Sequence, residues 1–254
     1  MTEKSFGDQP AHPDAERARL ALDNLKRIEE RIVRACAVAG RKREDITLLA
    51  VTKTVPPAPI NAVVEAGVTH IGENRVQEYL GKRDALRLEG VDVHMIGRLQ
   101  TNKVRQIVDK VSMIESVDSL RLAEAISQAS LRQENTGHSL RGITDVLVEV
   151  NIGGEEQKAG VAPEKLEEQL CQMALLPGIR VCGLMTVPPV LTAPKEQRQV
   201  FSRMYKLFID IKGKNIDNIS MDILSMGMSS DYEQAILEGS TLVRIGSALF
   251  GRRL

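Results

Sequence analysis

The sequence predicts an α/β fold, a single (β/α)8 barrel with one extra helix at its N-terminal end, and three observations carry that prediction. Short apolar runs alternate with helical patterns along the chain, eight of each, as a parallel sheet with crossover helices requires. Runs such as residues 46–52 (ITLLAVT) lack the polar alternation of a half-exposed sheet, so they read as strands buried on both faces. Eight such units in 254 residues fit a closed barrel better than an open doubly wound sheet.

Taken in order, residues 1–13 are polar and read as disordered, and residues 14–254 form the barrel domain. Leu22, Leu25, Ile28, Ile32 and Cys36 then recur at steps of three and four before Gly40, the mark of an amphipathic helix with a glycine stop. The run at 46–52 ends on Lys53 and passes into Thr54-Val55-Pro56-Pro57. Ile60, Val63 and Val64 signal the next helix, closed by Gly67. Runs at 68–72, 91–97 and 111–117 follow. The helices behind them are marked by Val76, Tyr79 and Leu80, then Val104, Ile107 and Val108, then Leu120, Ala123 and Ile126. The polar stretch 133–141 reads as an exposed insertion. A fifth run at 143–150 precedes a helix opened by Pro163 and carried by Leu166, Leu170 and Ala174. The sixth run, 179–185, leads through a proline-rich loop at 187–194 to a long helix with Val200, Met204, Leu207, Phe208 and Ile211. Runs at 223–226 and 242–245, with short helices at 229–237 and 247–250, complete the count.

Composition excludes several functions. Lysine plus arginine and aspartate plus glutamate are equal at 34 each, so there is no net charge for a polyanion to read. Without Trp, and with only 3% aromatic residues, there are few platforms for stacking bases, and nucleic acid is not expected as a partner. Cys36, Cys171 and Cys182 are odd in number and lack metal-ligand spacing, as expected of small buried thiols in a reducing compartment. With no apolar leader and no stretch of spanning length, the chain reads as soluble and cytoplasmic.

Barrel enzymes carry their sites at the carboxyl ends of the strands. Here those positions hold Lys53, Glu73-Asn74, Arg98-Leu99-Gln100, Ser116, Asn151, Met185-Thr186, Ser225 to Ser229 and Arg244-Ile245-Gly246. They include no acid and histidine set suited to a metal, and no serine sits in a nucleophile elbow. His94, inside the third run, reads from its position as a structural imidazole. The last two positions are the most informative. Loops after strands seven and eight often bind phosphate, because backbone amides at a short helix's N-terminus point outward there. SMGMSSDYEQA supplies Gly227 for close backbone approach and Ser229 or Ser230 as N-cap, and RIGSALFG repeats the device with Gly246 and Ser247. Asp231 opposes the signal, since a carboxylate competes for the same positive helix end. A phosphate cradle beside a lysine on the first strand points to pyridoxal 5'-phosphate held as a Schiff base.

LLAVTKTVP, HIGENRVQE, HMIGRLQTNK, VNIGGEEQKAG, GLMTVPP, LSMGMSSDYEQAI and TLVRIGSALFGRR together resemble the YggS/PROSC family of pyridoxal phosphate homeostasis proteins, collinearly over residues 48–252. The resemblance implies a barrel like the N-terminal domain of alanine racemase, covalent cofactor binding, and a role in cofactor homeostasis without established turnover. By that resemblance Lys53 is the Schiff-base lysine. Met226, Gly227, Met228 and Ser229 match the phosphate-holding turn, and Ile245, Gly246 and Ser247 match the second phosphate contact. Arg244 faces the pyridine nitrogen, Asn74 and His94 lie near the cofactor, and Lys158 is a second lysine at the barrel mouth. Read from the residues alone, Asn74 is equally a helix N-cap, and Lys158 reads first as a solvated loop charge.

The leading expectation is therefore a cytoplasmic, monomeric protein that carries or buffers pyridoxal 5'-phosphate, with apo enzymes needing that cofactor as recipients. The alternative is an amino-acid racemase or decarboxylase using the same lysine. A barrel racemase resembles this chain only in its first domain, and adds a C-terminal β domain and a tyrosine from its partner subunit as second base. This sequence ends at Leu254, and Tyr79, Tyr205 and Tyr232 all fall on helical patterns. A third reading, an aldolase-like barrel whose lysine attacks a sugar phosphate, is separated by colour, since the cofactor imine absorbs visible light.

Overall fold

A computed structural model describes residues 13–135, 142–155 and 157–251. Eight parallel strands close into a barrel in sequence order: β1 (Thr47–Val51), β2 (His70–Glu73), β3 (Asp92–Met95), β4 (Met113–Val117), β5 (Thr144–Glu149), β6 (Ile179–Met185), β7 (Ile219–Met228) and β8 (Leu242–Ile245). Closure runs through β1 and β8, where Leu49 pairs with Arg244 and Ala50 with Ile245. Behind the strands lie α2 (Pro57–Glu65), α3 (Val76–Lys82), α4 (Val104–Ile107), α5 (Leu120–Asn135), α6 (Leu166–Met173), α7 (Pro194–Gly213), α8 (Tyr232–Leu237) and α9 (Ser247–Phe250). Proline opens α2 and α7 at the first turn, where a missing N–H costs nothing.

Alternation along the strands separates two cores. Leu49, Val51 and Leu242, with Ile96 and Ile223, fill one side of the barrel interior, and Met113, Leu147, Cys182 and Met185 fill the other. The opposite faces, including Leu48, Ala50, Ile71, Val146 and Val243, pack with the helices in one larger cluster.

The extra helix α1 (Pro13–Val38) covers the barrel's flank, at the seam where the chain closes on itself. It packs on α2, α8 and α9 through Ala21, Leu25, Ile28, Ile32, Ala35 and Cys36. Asn24 donates to the Leu249 carbonyl at 3.0 Å, and Arg31 pairs with Glu233 while lying over the Tyr232 ring.

Three expectations need amendment. The stretch 133–141 begins as helix, since α5 continues to Asn135; residues 136–141, and residues 1–12 of the expected disordered start, lie outside the described residues. Strand β7 starts four residues earlier than its apolar run, because Ile219-Ser220-Met221-Asp222 alternates in polarity and leaves Asp222 exposed. Cys36 and Cys182 are buried as expected, but Cys171 is exposed. No described helix is long and apolar enough to cross a membrane.

Candidate functional site

Lys53 lies half-buried in the turn after β1, where it continues the inward series of Leu49 and Val51. Backbone groups on both sides of it are held. The Thr52 N–H donates to the Gly72 carbonyl at 2.9 Å, and the Thr52 carbonyl accepts from Val55 N at 3.0 Å and from Lys82 Nζ at 2.8 Å. Thr54 adopts φ +59°, a left-handed conformation rare for a β-branched residue and costing on the order of 1–3 kcal/mol. Its N–H is taken by the Glu78 carboxylate. Lys82, on the last turn of α3, joins these contacts by pairing with Glu73 at 2.8 Å and Glu78 at 2.9 Å. Glu73 is fully buried and also accepts from the Thr52 hydroxyl. Burial pushes its carboxyl up, against the opposing pull of Lys82 and Thr52.

The loops after β7 and β8 meet beside this turn, because β8 pairs with β1. Ser229 Oγ accepts from the amides of Gly246 at 3.1 Å and Ala248 at 3.2 Å. With both lone pairs engaged, its proton remains available to donate. The expected cradle is narrower than the sequence implied. The Met228 amide donates to Asp231 Oδ1 at 2.6 Å, so it is not available to a phosphate. Neither Ser229 nor Ser230 is the N-cap of α8; Asp231 is, and Gly246 rather than Ser247 caps α9. Gly227, at φ +93°, is required by packing: a Cβ there would stand 2.5 Å from Ala235 Cβ. The Met226 and Ile245 side chains belong to the outer core, leaving only their backbones to face a ligand.

From β8, the strand next to that of Lys53, a polar chain crosses the barrel interior. The buried Arg244 guanidinium donates to Ser225 Oγ and, at 2.8 Å, to the Thr186 carbonyl. Ser225 donates to Glu115 Oε2 at 2.6 Å, and Glu115 Oε1 lies 2.7 Å from His94 Nδ1. Arg244 and Glu115 also attract directly at 3.8 Å. Burial would raise the Glu115 carboxyl, but the His94 hydrogen bond and charge, Arg244 and Ser225 outweigh it and hold it below the usual carboxylate range. Burial lowers Arg244 from its ordinary value, with Glu115, Glu149 and Asp231 pulling the other way. Glu149, at the end of β5, is pushed up by burial and then by Asp118.

The remaining expected residues divide. Asn74 lies at the end of β2 with its Oδ1 buried and unpartnered, and Arg75, not Asn74, is the N-cap of α3. Gly97 makes room for it, since a Cβ there would stand 2.3 Å from the Asn74 carbonyl. His94 is drawn away from the mouth: it is level with Met113, the first residue of β4, and lines a cavity of about 610 Å³ at the strands' amino ends with His70 and Asp92. It reaches the site only through Glu115. Lys158 is neither free nor fully solvated, pairing with Glu155 at 2.6 Å and donating to the Pro188 carbonyl at 3.2 Å, so it ties the loops after β5 and β6. Ser116 turns away and donates to the Gly97 carbonyl at 2.7 Å. Sequence reasoning missed Glu115, Glu149, Lys82 and Glu78. Alternation from Met113 would have placed Glu115 inward, where a charge within an apolar run marks a paired site. No comparable signal exposes Lys82.

Residues 24–253 match the family model described as alanine racemase, N-terminal domain. A pyridoxal phosphate homeostasis protein from Aquifex aeolicus is 44% identical over 92% of this chain and 98% of its own. The solved structure of PipY from Synechococcus elongatus, with PLP bound, has TM-score 0.74 and 32% identity, covering 88% of this chain and all of that one. An alanine racemase from Clostridium difficile shares the fold at TM-score 0.67, with 17% identity over 94% of this chain and 57% of its own.

Proposed function

Because this chain belongs to the pyridoxal phosphate homeostasis protein family, we propose that it binds pyridoxal 5'-phosphate covalently on Lys53 and carries or buffers it for vitamin B6 homeostasis. The observation that carries this reading is the junction of β7, β8 and β1. There the Ser229 hydroxyl and the first turn of α9 adjoin the strand that presents Lys53. With an anion held at that point, Lys53 and Arg244, on adjoining strands, would be the groups to meet the rest of a phosphate ester at the barrel mouth. The polar set fits the cofactor: the Ser229 hydroxyl and the Ser247 amide for the phosphate, and the unpartnered acceptor Asn74 Oδ1 at the end of β2, the strand beside β1. When bound, the cofactor supplies a reactive aldehyde and an electron-accepting ring. Arg244, an always-charged donor, would face the pyridine nitrogen. Lys158 stands as a second lysine above the mouth, its ammonium holding two rim loops. The protein acts as a cytoplasmic monomer, and apo enzymes that require the cofactor are its recipients.

Reduction of the loaded protein with borohydride, followed by peptide mapping, is expected to place the label on Lys53. A label only on Lys158, or none, refutes the assignment. The carrier role is read by incubating apo recipient enzymes with loaded protein and with an equal amount of free cofactor. Reactivation no different from the free cofactor counts against delivery.

A further inference from the structure

We propose that Lys82 is a positioning residue for Lys53, and that with Glu78 it holds the strained turn from which Lys53 must reach the aldehyde. The inference deepens the function proposed above and rests on that reading. Lys82 lies outside the barrel, its side chain only 11% exposed, and cannot touch a ligand in the mouth, because its ammonium is engaged by the Thr52 carbonyl, Glu73 and Glu78. Those partners bracket Lys53. The Thr52 carbonyl lies on one side of it, and the Thr54 N–H, held by Glu78, on the other. Glu78 therefore joins the strained residue to α3 directly, and Lys82 joins Glu78 to the end of β1. Structural stabilisation alone does not account for the arrangement. A buried ion pair gives little net stability over an apolar replacement, and the left-handed Thr54 is a cost that a relaxed turn would avoid. Strain that the surroundings over-determine next to a reacting side chain is a form of pre-organisation.

The step affected is the condensation of Lys53 with the aldehyde. The Nζ–carbon double bond forms as the carbonyl oxygen departs as water with two amine protons, and nothing is oxidised or reduced. A ligand that uses only the phosphate and ring contacts does not sense the aim of Lys53. The test therefore compares pyridoxal 5'-phosphate with its alcohol counterpart, pyridoxine 5'-phosphate, on the full chain. Lys82→Met removes the hub, and Glu78→Ala frees the Thr54 amide while leaving the buried Lys82–Glu73 pair in place. Both variants are expected to slow formation of the absorbing adduct by about tenfold or more, with the alcohol bound as tightly as by the wild type. A Lys82→Arg variant is expected to recover part of the rate. If aldehyde and alcohol binding fall together, or if neither changes, the positioning role is overturned. Should Lys82→Met not fold, Glu78→Ala decides by the same comparison. A wild-type protein that forms no adduct on Lys53 overturns the underlying reading, and this proposal with it, and is distinguished by failing before any variant is made.

Discussion

Ser229 accepts two backbone amides on one oxygen, and that sharing decides what its removal costs. Because the substitution frees those two amides to hold an anion themselves, Ser229→Ala is expected to weaken cofactor binding by only about 1 kcal/mol. Gly227→Val is expected to cost more, because the new Cβ meets Ala235 at 2.5 Å and Tyr232 Cα at 3.0 Å at a positive φ. Paired equilibrium titrations measure both, and equal negligible effects would place the phosphate elsewhere. At this scale the sequence was partly legible. Glycine and serine at a strand-to-helix turn identify the loop, but they do not say which amides are taken. Asp231 was visible as a competitor, and the structure makes it the partner of Met228. Lys53 was legible by place alone, whereas the contacts that hold its turn come from α3, some 25–30 residues on, and no local pattern links them.

At the scale of elements, the strands were legible because both faces of each are buried and the apolar runs are therefore continuous. The part of β7 that was missed alternates in polarity. Polar residues inside the barrel were harder to see, since Glu115 sits in an otherwise apolar run and its partners lie on β3, β7 and β8. Its chemistry makes a prediction about stability. The folded carboxyl is held below its ordinary value of 4.5, so its contribution is fully present above that value and is lost as pH falls through the folded one. Glu115→Gln leaves the buried Arg244 without its nearest opposite charge, which is expected to cost about 3 kcal/mol at neutral pH. The difference between variant and wild type should shrink as the medium is acidified below about pH 4.5. Urea denaturation at a series of pH values reads both, and a constant or negligible difference would mean that Glu115 is already protonated in the native state.

For the whole molecule, the central prediction is that amino acids are not turned over at an enzymatic rate, and it follows from how the barrel places its groups. Chemistry at an amino acid's α-carbon needs a ring that accepts electrons, best served by a protonated pyridine nitrogen facing a carboxylate. On the proposed reading the group facing that nitrogen is Arg244, which only donates, while Glu115 is engaged by Arg244, Ser225 and His94. A racemase with an arginine at that position offsets the weak sink with a second base opposite its lysine. No tyrosine fills that role here. Tyr79 donates to the Lys110 carbonyl, Tyr205 lies against Gly239 on the outer surface, and Tyr232 is buried toward α1 beneath Arg31. One lysine, a weak sink and no placed partner base leave the cofactor bound and little used. Exchange of α-protons into deuterated buffer, followed for the common amino acids beside a Lys53→Ala control, is expected to stay far below about 1 per second, the low end of ordinary enzymes. Lys53-dependent exchange at that rate or faster would make this barrel an enzyme.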